Sequence, residues 1–445
     1  MSKGKIYFIS LGCDKNLVDS EYMLGILSSN GYTITNDEDE ADTVIVNTCG
    51  FIKDAQEESI ETILEAAALK SEGRISKLIV AGCLSERYKG EILKEIPEVD
   101  AIVGTTAYDG ILNALDCQNT GSEHFCDISR LVEPESSRLI TGGMFSSSLK
   151  IAEGCDKRCT YCIIPSLRGS YRSYPMSRLI AEAKYLASRG VKELNIIAQE
   201  TTVYGRDLYG KKMLPELLRK LCAVDGIEWV RLLYCYPEEI TDELIDTIKS
   251  EPKICHYIDM PIQHSSDDIL RRMGRHTNRL ELEDIISRIR ENIPDIVLRT
   301  TLITGFPGEI EEDHEDLMDF VSRMQFDRLG VFTYSAEDGT PAALFPDQVG
   351  EDVKEERRDA IMQLQQDIAF RKAEAMKGRV IKVLTEGRIP EDDVYVGRSY
   401  MDAQDIDGYV FFKADYPVMS GDFIDILITG AEGYDLTGVP AEEES

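Results

Sequence analysis

The sequence predicts an α/β protein in three parts: an N-terminal parallel-sheet α/β domain, a partial (β/α)6 TIM-like barrel and a small C-terminal β-barrel module. Three observations carry that expectation. Strand and helix patterns alternate through the first ~115 residues, as parallel sheets require. Alternation resumes from Phe145 to about Tyr334 in about six units, where a complete barrel needs eight. Beyond Gly378 short strands separated by Gly and Pro replace the helices. A chain of 445 residues suits about three domains at ~150 residues each, and 43% apolar residues supply their cores.

In the first part, strands are expected at Lys5–Ser10, Thr43–Asn47, Lys77–Ala81 and Ala101–Val103, with helices at Asn16–Asn30 and Lys53–Lys70 and Gly31 as a helix stop. From Asp116 to about Gly143 periodicity fades into Ser, Gly, Pro and charge, a linker composition. The second part should contribute strands at Leu149–Ala152, Glu193–Ala198, Trp229–Tyr234, Tyr257–Met260, Val297–Ile303 and Arg328–Phe332. Asp352–Lys377 reads as a long helix packing through Ile361, Leu364 and Ile368. The runs VIKVLTEG, YVFFKA and DFIDILITG supply strands of the last part. Expected divisions are 1–117, a linker 118–143, 144–375 and 376–441.

No apolar run approaches the ~18 residues that span a bilayer, and MSKGKIYFIS enters a strand pattern without a signal-peptide core. A cytoplasmic protein without membrane association is expected. Eleven cysteines in such a chain favour metal or catalytic use over disulfides. Cys117, Cys126, Cys222, Cys235 and Cys255 lie in no ligand-like spacing and are read as small buried apolar residues.

The other six fall into two groups. Cys13, Cys49 and Cys83 close the similar runs YFISLGC, VIVNTC and LIVAGC, at intervals of 36 and 34 residues. Each ends a strand at the turn into a helix, so one sheet edge should collect all three thiols. Cys155, Cys159 and Cys162 lie in GCDKRCTYC after the strand SLKIAEG, in the first loop at the C-terminal end of a barrel strand. Each group has three ligands where a closed site needs four. Zinc completed by His256 or His264 is the alternative to an iron–sulfur cluster.

The C-x3-C-x2-C spacing, with Tyr161 before the last cysteine, resembles the signature of the radical S-adenosylmethionine superfamily. Along its whole length the chain resembles a methylthiotransferase, with a TRAM-like module at its C-terminus. SLGCDKNLVDSE, NTCGFIKDAQEESI, AEGCDKRCTYCIIPSLRGSYRS and GFPGE carry the likeness. The LGC-x-KNLVDSE opening and the NTCGFI-x-DA run resemble the branch that modifies an aspartate of small-subunit ribosomal protein twelve; the tRNA-modifying branch opens with a GCQMN-like stretch. Asp14 stands where the first branch usually has Pro, and Ile310 where Thr is common.

The resemblance implies two [4Fe–4S] clusters and S-adenosylmethionine. The cluster on Cys155, Cys159 and Cys162 would bind and cleave the cofactor, and the resulting radical would take a hydrogen from the aspartate β-carbon. The cluster on Cys13, Cys49 and Cys83 would hold the sulfur to be inserted and methylated. The strand-end stretches AQET, PIQH, LRTT and GFPGE would line the cofactor cavity. Glu200 would take the methionyl amine and Arg299 its carboxylate; Gln263 and Glu309 belong to the same lining, and Gly305 and Gly308 would admit the adenine. A salt bridge at the barrel rim explains Glu200 and Arg299 equally well. Arg168 and Arg172 would serve the site or brace the cluster loop.

The formal charge of −32 bears on the substrate. Lys377–Ser445 carries 6 basic against 15 acidic residues, and Met1–Ile140 carries 12 against 25. EDDVY, the triplet Asp402, Asp405 and Asp407, and the tail EEES would repel phosphates, so RNA binding by the C-terminal module is not expected. An acidic surface suits a basic ribosomal protein of the small subunit, free or in the subunit. An electron donor and a sulfur source are further partners. The alternatives are methylthiolation of (prenylated) adenosine in tRNA and a non-enzymatic zinc-bearing ribosome-binding scaffold.

Overall fold

The computed structural model describes residues 3–117, 120–134, 138–143, 145–390 and 392–441. In the first part six parallel strands, β1 (Lys5–Ser10), β2 (Thr33–Thr35), β3 (Thr43–Thr48), β4 (Lys77–Gly82), β5 (Ala101–Val103) and β6 (Ser122–His124), lie in the order β2-β1-β3-β4-β5-β6. Alternation assigns the two faces. Val44, Val46, Leu78 and Val80 pack on Ile63 and Ala66 of helix α2 (Lys53–Ser71). Ile45, Ile79, Ala81 and Val103 face Tyr22, Met23 and Ile26 of helix α1 (Asp14–Ser29). Both faces are thus covered, as parallel sheets require. Gly31 stops the first helix turn region with a φ of 89°.

The second sheet is also wholly parallel. After β7 (Ser146–Lys150) come the two-residue strands β8 (Ala152–Glu153) and β9 (Arg172–Ser173), which pair with each other around the cysteine loop. Then follow β10 (Glu193–Ile197), β11 (Trp229–Leu232), β12 (Ile254–Asp259), β13 (Val297–Thr304) and β14 (Arg328–Thr333). The order β7-β10-β11-β12-β13-β14 follows the sequence and leaves β7 and β14 as edges, the geometry of a partial barrel of six units. The helix Glu351–Glu374 joins this core through Ile361 and Ile368, with Leu364 half-buried beside them.

The last part is a closed barrel of β15 (Val380–Ile389), β16 (Val394–Ser399), β17 (Val410–Phe412), β18 (Phe423–Glu432) and β19 (Asp435–Pro440), in the order β15-β16-β17-β19-β18. It shares an apolar cluster with both other parts, in which Ile6 and Met23 join Trp229 and Tyr257 and then Val383 and Phe412. Glu193, wholly buried, receives Arg231 at 2.8 Å and the barrel's Arg398 at 2.7 Å.

Three expectations change. The stretch read as linker contains β6, which adds a sixth strand to the sheet; three residues, SEH, are too short and polar to show alternation. Asp402 and Asp407 are not surface charges: Asp402 is buried against Arg328 at 2.6 Å, and Asp407 accepts from the Tyr257 hydroxyl at 2.8 Å. Only Asp405 of that triplet is exposed, and the tail EEES lies outside the described residues. Cys126 is exposed beside Arg130, whereas Cys222, Cys235 and Cys255 are buried.

Candidate active site between two cysteine triads

The strand order of the first sheet reverses between β1 and β3, and the crevice beyond the strand ends at such a point is where these sheets bind ligands. Cys13 follows β1 and caps α1, Cys49 follows β3, and Cys83 opens helix α3 (Cys83–Tyr88) after β4. Asn16, buried in α1, ties the first two turns together, its amide donating to Leu11 O at 2.7 Å and Thr48 O at 3.2 Å. Gly12 has a φ of 87°, and a Cβ there would sit 2.9 Å from the Cβ of Cys49. The Cys13 and Cys49 turns approach this closely because nothing projects between them. Burial pushes the Cys49 thiol up to about 11 and raises that of Cys83, against the pull of Arg168.

The second triad lies on the loop between β8 and the short helix Ile164–Arg168. Gly154 opens that loop with a φ of 76°, and a Cβ there would strike Ser170 O at 2.2 Å. The Cys155 N–H donates to Gly169 O at 3.1 Å, and Thr160 is bonded at both its N–H and its hydroxyl to Met273 O and Arg272 O. Burial pushes the Cys155 and Cys162 thiols up to about 12.

The triads adjoin. Cys83 packs against Leu167 and against Ile163, the residue after Cys162. Arg168 binds Asp19 at 2.6 Å and Asn16 Oδ1 at 3.1 Å, with Nη2 3.5 Å from Cys83 Sγ. Among the described residues no three His, Cys, Asp or Glu side chains close on a single metal ion. A cubane cluster asks for a wider arrangement, because each cysteine holds a different iron. Of the two histidines weighed as zinc ligands, His256 Nδ1 lies 2.8 Å from Asp295; His264 Nδ1 accepts from the Ser266 N–H at 2.9 Å, and its Nε2, without a hydrogen-bond partner among the described residues, lies 3.6 Å from Glu309.

Of the expected cofactor residues, Glu200 fits a cationic ligand best. It is buried just past β10; Oε1 accepts from the Thr202 N–H at 3.0 Å and from the Thr202 hydroxyl, while Oε2 has no hydrogen-bond partner among the described residues and lies 3.9 Å from Lys157 Nζ. Burial pushes its carboxyl up to about 7. Gln263 has a φ of 73°, a costly conformation for a side-chain-bearing residue and one common at ligand sites. Arg299 is engaged by Asp259 at 2.7 Å, and Glu309 by Arg357 at 2.9 Å. Gly305 gives close approach to Lys354 and Gly308 to the Arg272 guanidinium. Arg168 braces the loop as expected of one of its two readings, and Arg172 returns to the same loop by donating to Arg168 O at 2.9 Å.

Lys15, Tyr234 and Asp259 are the residues that sequence reasoning missed. Lys15 Nζ lies 2.8 Å from the centre of the Tyr234 ring, at the seam between the two domains. Tyr234 is held with a φ of 60°, its N–H donating to Asp259 Oδ2 at 3.0 Å. Lys15 stands in plain view in the LGC-x-KN motif; its lack of a carboxylate partner does not.

An open parallel half-barrel with three cysteines in its first strand-end loop, and an unsatisfied buried carboxylate at the next strand end, define a radical S-adenosylmethionine enzyme. Residues 149–321 match the radical SAM superfamily, 5–104 the uncharacterized protein family UPF0004 and 378–440 the TRAM domain. The superfamily implies a [4Fe–4S] cluster and S-adenosylmethionine. A ribosomal protein uS12 methylthiotransferase RimO from Lachnoclostridium phytofermentans is 62% identical over 98% of this chain and 99% of its own. One from Acetivibrio thermocellus is 50% identical over the whole of both chains. The chain belongs to the ribosomal protein uS12 methylthiotransferase family. The radical methyltransferase TsrM from Kitasatospora setae, solved with tryptophan and a SAM analogue, shares the fold at a TM-score of 0.56 and 12% identity, over 82% of this chain and 89% of that one.

Proposed function

We propose that this protein inserts sulfur at the β-carbon of an aspartate in ribosomal protein uS12 and methylates it, giving 3-methylthioaspartate. The observation that carries the reading is the contact of Cys83 with Ile163, which sets a second open triad against the first. Cys155, Cys159 and Cys162 would hold one [4Fe–4S] cluster and Cys13, Cys49 and Cys83 another. Bound there, cluster and S-adenosylmethionine supply radical chemistry and the methyl group.

The chain's own residues bind, orient and exclude water. Glu200 takes the methionyl amine through its free Oε2. Gln263 lines the cavity, and Gly305 lets the chain turn beside it. Arg299 and Glu309 act from behind, bracing Asp259 and the GFPGE turn through the pairs described above. The first part closes after β6, and divisions near 143 and 375 separate the others that carry these roles, with the acidic C-terminal module serving the basic substrate rather than RNA. An electron donor and a sulfur source complete the system in the cytoplasm; no described helix is long and apolar enough to cross a membrane.

The test is anaerobic reconstitution followed by incubation with uS12, with assembled small subunits and with tRNA. Methylthio mass on uS12 alone or in the subunit is expected, with iron and sulfide for two clusters. Modification of tRNA alone, or stoichiometric zinc with negligible iron, refutes the reading.

A further inference from the structure

Lys15 is the feature the reading above leaves unexplained. It projects from the first turn of α1, two residues past Cys13, into the seam with the radical core, and only 6% of it is exposed. Buried cations are ordinarily paired. Among the described residues this ammonium makes no hydrogen bond or ion pair and rests on the Tyr234 ring alone. The titratable groups that act on it are Cys13, Asp14, Asp259 and Arg168. Asp259 is already held by Arg299 and the Tyr234 N–H, and Arg168 by Asp19, Glu153 and Asn16.

The other cations nearby are committed as well. Lys150 pairs with Asp19 and Glu153, and Lys157 with Glu238 and Glu239. Arg275 retains unbonded N–H groups, but it stacks on Tyr236 and interacts with Cys159 and Tyr161. Cys13 is the one exposed thiol of the six, so the seam is open at Lys15's end. Tyr234 supports Lys15 from a strained backbone at a strand end of the core, where such folds place functional side chains.

We propose that Lys15 is the substrate-binding residue that receives the side-chain carboxylate of the target aspartate. The inference rests on the proposed function. An aspartate entering this seam must desolvate its carboxylate, which is costly without a partner cation. The β-carbon is one bond from that carboxylate, so a carboxylate held at Lys15 brings the reacting carbon beside Cys13 and its cluster. An adenine base offers no such anion, so the same contact selects protein over nucleoside.

The test compares binding of purified uS12 and of uS12 carrying Asn at its target aspartate to the anaerobically reconstituted enzyme. The wild-type enzyme should prefer the aspartate form by about 30-fold or more, the scale of a desolvated charge pair. In Lys15→Met and Lys15→Gln that preference should collapse to within about twofold, with iron and sulfide content and melting temperature unchanged. If either folded variant keeps the preference, or if both lose iron from the first triad, Lys15 is not the carboxylate anchor, even though the wild type still methylthiolates uS12. If the wild-type enzyme neither distinguishes nor modifies uS12, the proposed function falls and the Lys15 assignment falls with it.

Discussion

Glu200 combines two properties that pull in opposite directions. Its burial raises the carboxyl to about 7, and the protein gives it only Thr202 as a compensating donor. A cationic amine binds the ionised form, so cofactor affinity should rise as pH rises through 7, level off above, and fall by about tenfold per unit below. Equilibrium binding of S-adenosylhomocysteine to the reconstituted enzyme between pH 6 and 8.5 checks this. Glu200→Gln should flatten the profile and weaken binding by about 10- to 100-fold, as loss of a charge-assisted bond does. The stability sign is opposite. A folded pKa above the unfolded value means that this group costs stability as pH rises from about 4.5 to 7, so Glu200→Gln should raise the melting temperature of the ligand-free protein at pH 8. The two departures from family pattern are explained at the same scale. Asp14 occupies the first position of α1, where Pro and an acidic residue are both favoured. Ile310 caps the helix Glu311–Met324 with a side chain that accepts nothing, while Asp313 already accepts from its N–H at 3.1 Å. Ile310→Thr should complete that exchange and stabilise by about 1 kcal/mol, seen as a melting shift of about 2–4 °C. The strand-end placement of all six triad cysteines and of Glu200 was legible in the sequence because register and spacing mark it. Lys15 was not, because being unpaired is a property of its surroundings.

Among elements, the junction of α1, β7 and the helix Ile164–Arg168 holds the two triads in contact. Asp19 is its centre: it pairs with Lys150 and Arg168, and Glu153 shares both cations. Burial pushes the Glu153 carboxyl up, but Lys150 and Arg168 outweigh it and hold the group at about 2. Removing one member of such a network leaves uncompensated buried charge. Asp19→Ala should therefore cost about 3–5 kcal/mol and make the seam between the first two domains the earliest site of limited proteolysis, whereas Asp19→Asn keeps one acceptor oxygen for these cations and should lose less. None of these pairings is visible in sequence, where Asp19 and Arg168 are 149 residues apart. The elements they join were visible, since six core strands and two long N-terminal helices follow hydrophobic period. The strands Thr33–Thr35 and Ser122–His124 escaped because they are short and mostly polar, whereas the equally short Ala101–Val103 is wholly apolar.

At the scale of the whole molecule the three parts share one apolar cluster, and the acidic excess is divided between surface and interior. Asp402 and Asp407 both pair with the half-buried Arg328, leaving Asp392, Asp393, Asp405, Asp415 and Asp425 among the exposed acids of the barrel. Composition could count these charges but not say which were turned inward. The junction of Glu193 with Arg231 and the barrel's Arg398 predicts how the molecule fails in acid. Burial pushes the Glu193 carboxyl up, but Arg398 and Arg231 overcome it and hold the group at about 2. A folded value below the unfolded one means that this group stabilises above about pH 4.5 and loses that contribution as pH falls toward 2. The difference is worth about 3 kcal/mol. The chain's only tryptophan, Trp229, reports the event: it sits at this junction with its ring centre 4.8 Å from that of Phe423 in the barrel. Its emission should stay constant from pH 7 to about 4.5 and shift to the red below, as the barrel leaves the core. Glu193→Gln leaves the buried Arg231 without a carboxylate and Arg398 with Glu386 alone, so it should show the red shift already near neutral pH, with a loss of about 3–5 kcal/mol. If tryptophan emission in that variant matched the wild type across the range, Glu193 would have no part in docking, and the barrel would be held by the apolar cluster with Arg328–Asp402 and Tyr257–Asp407.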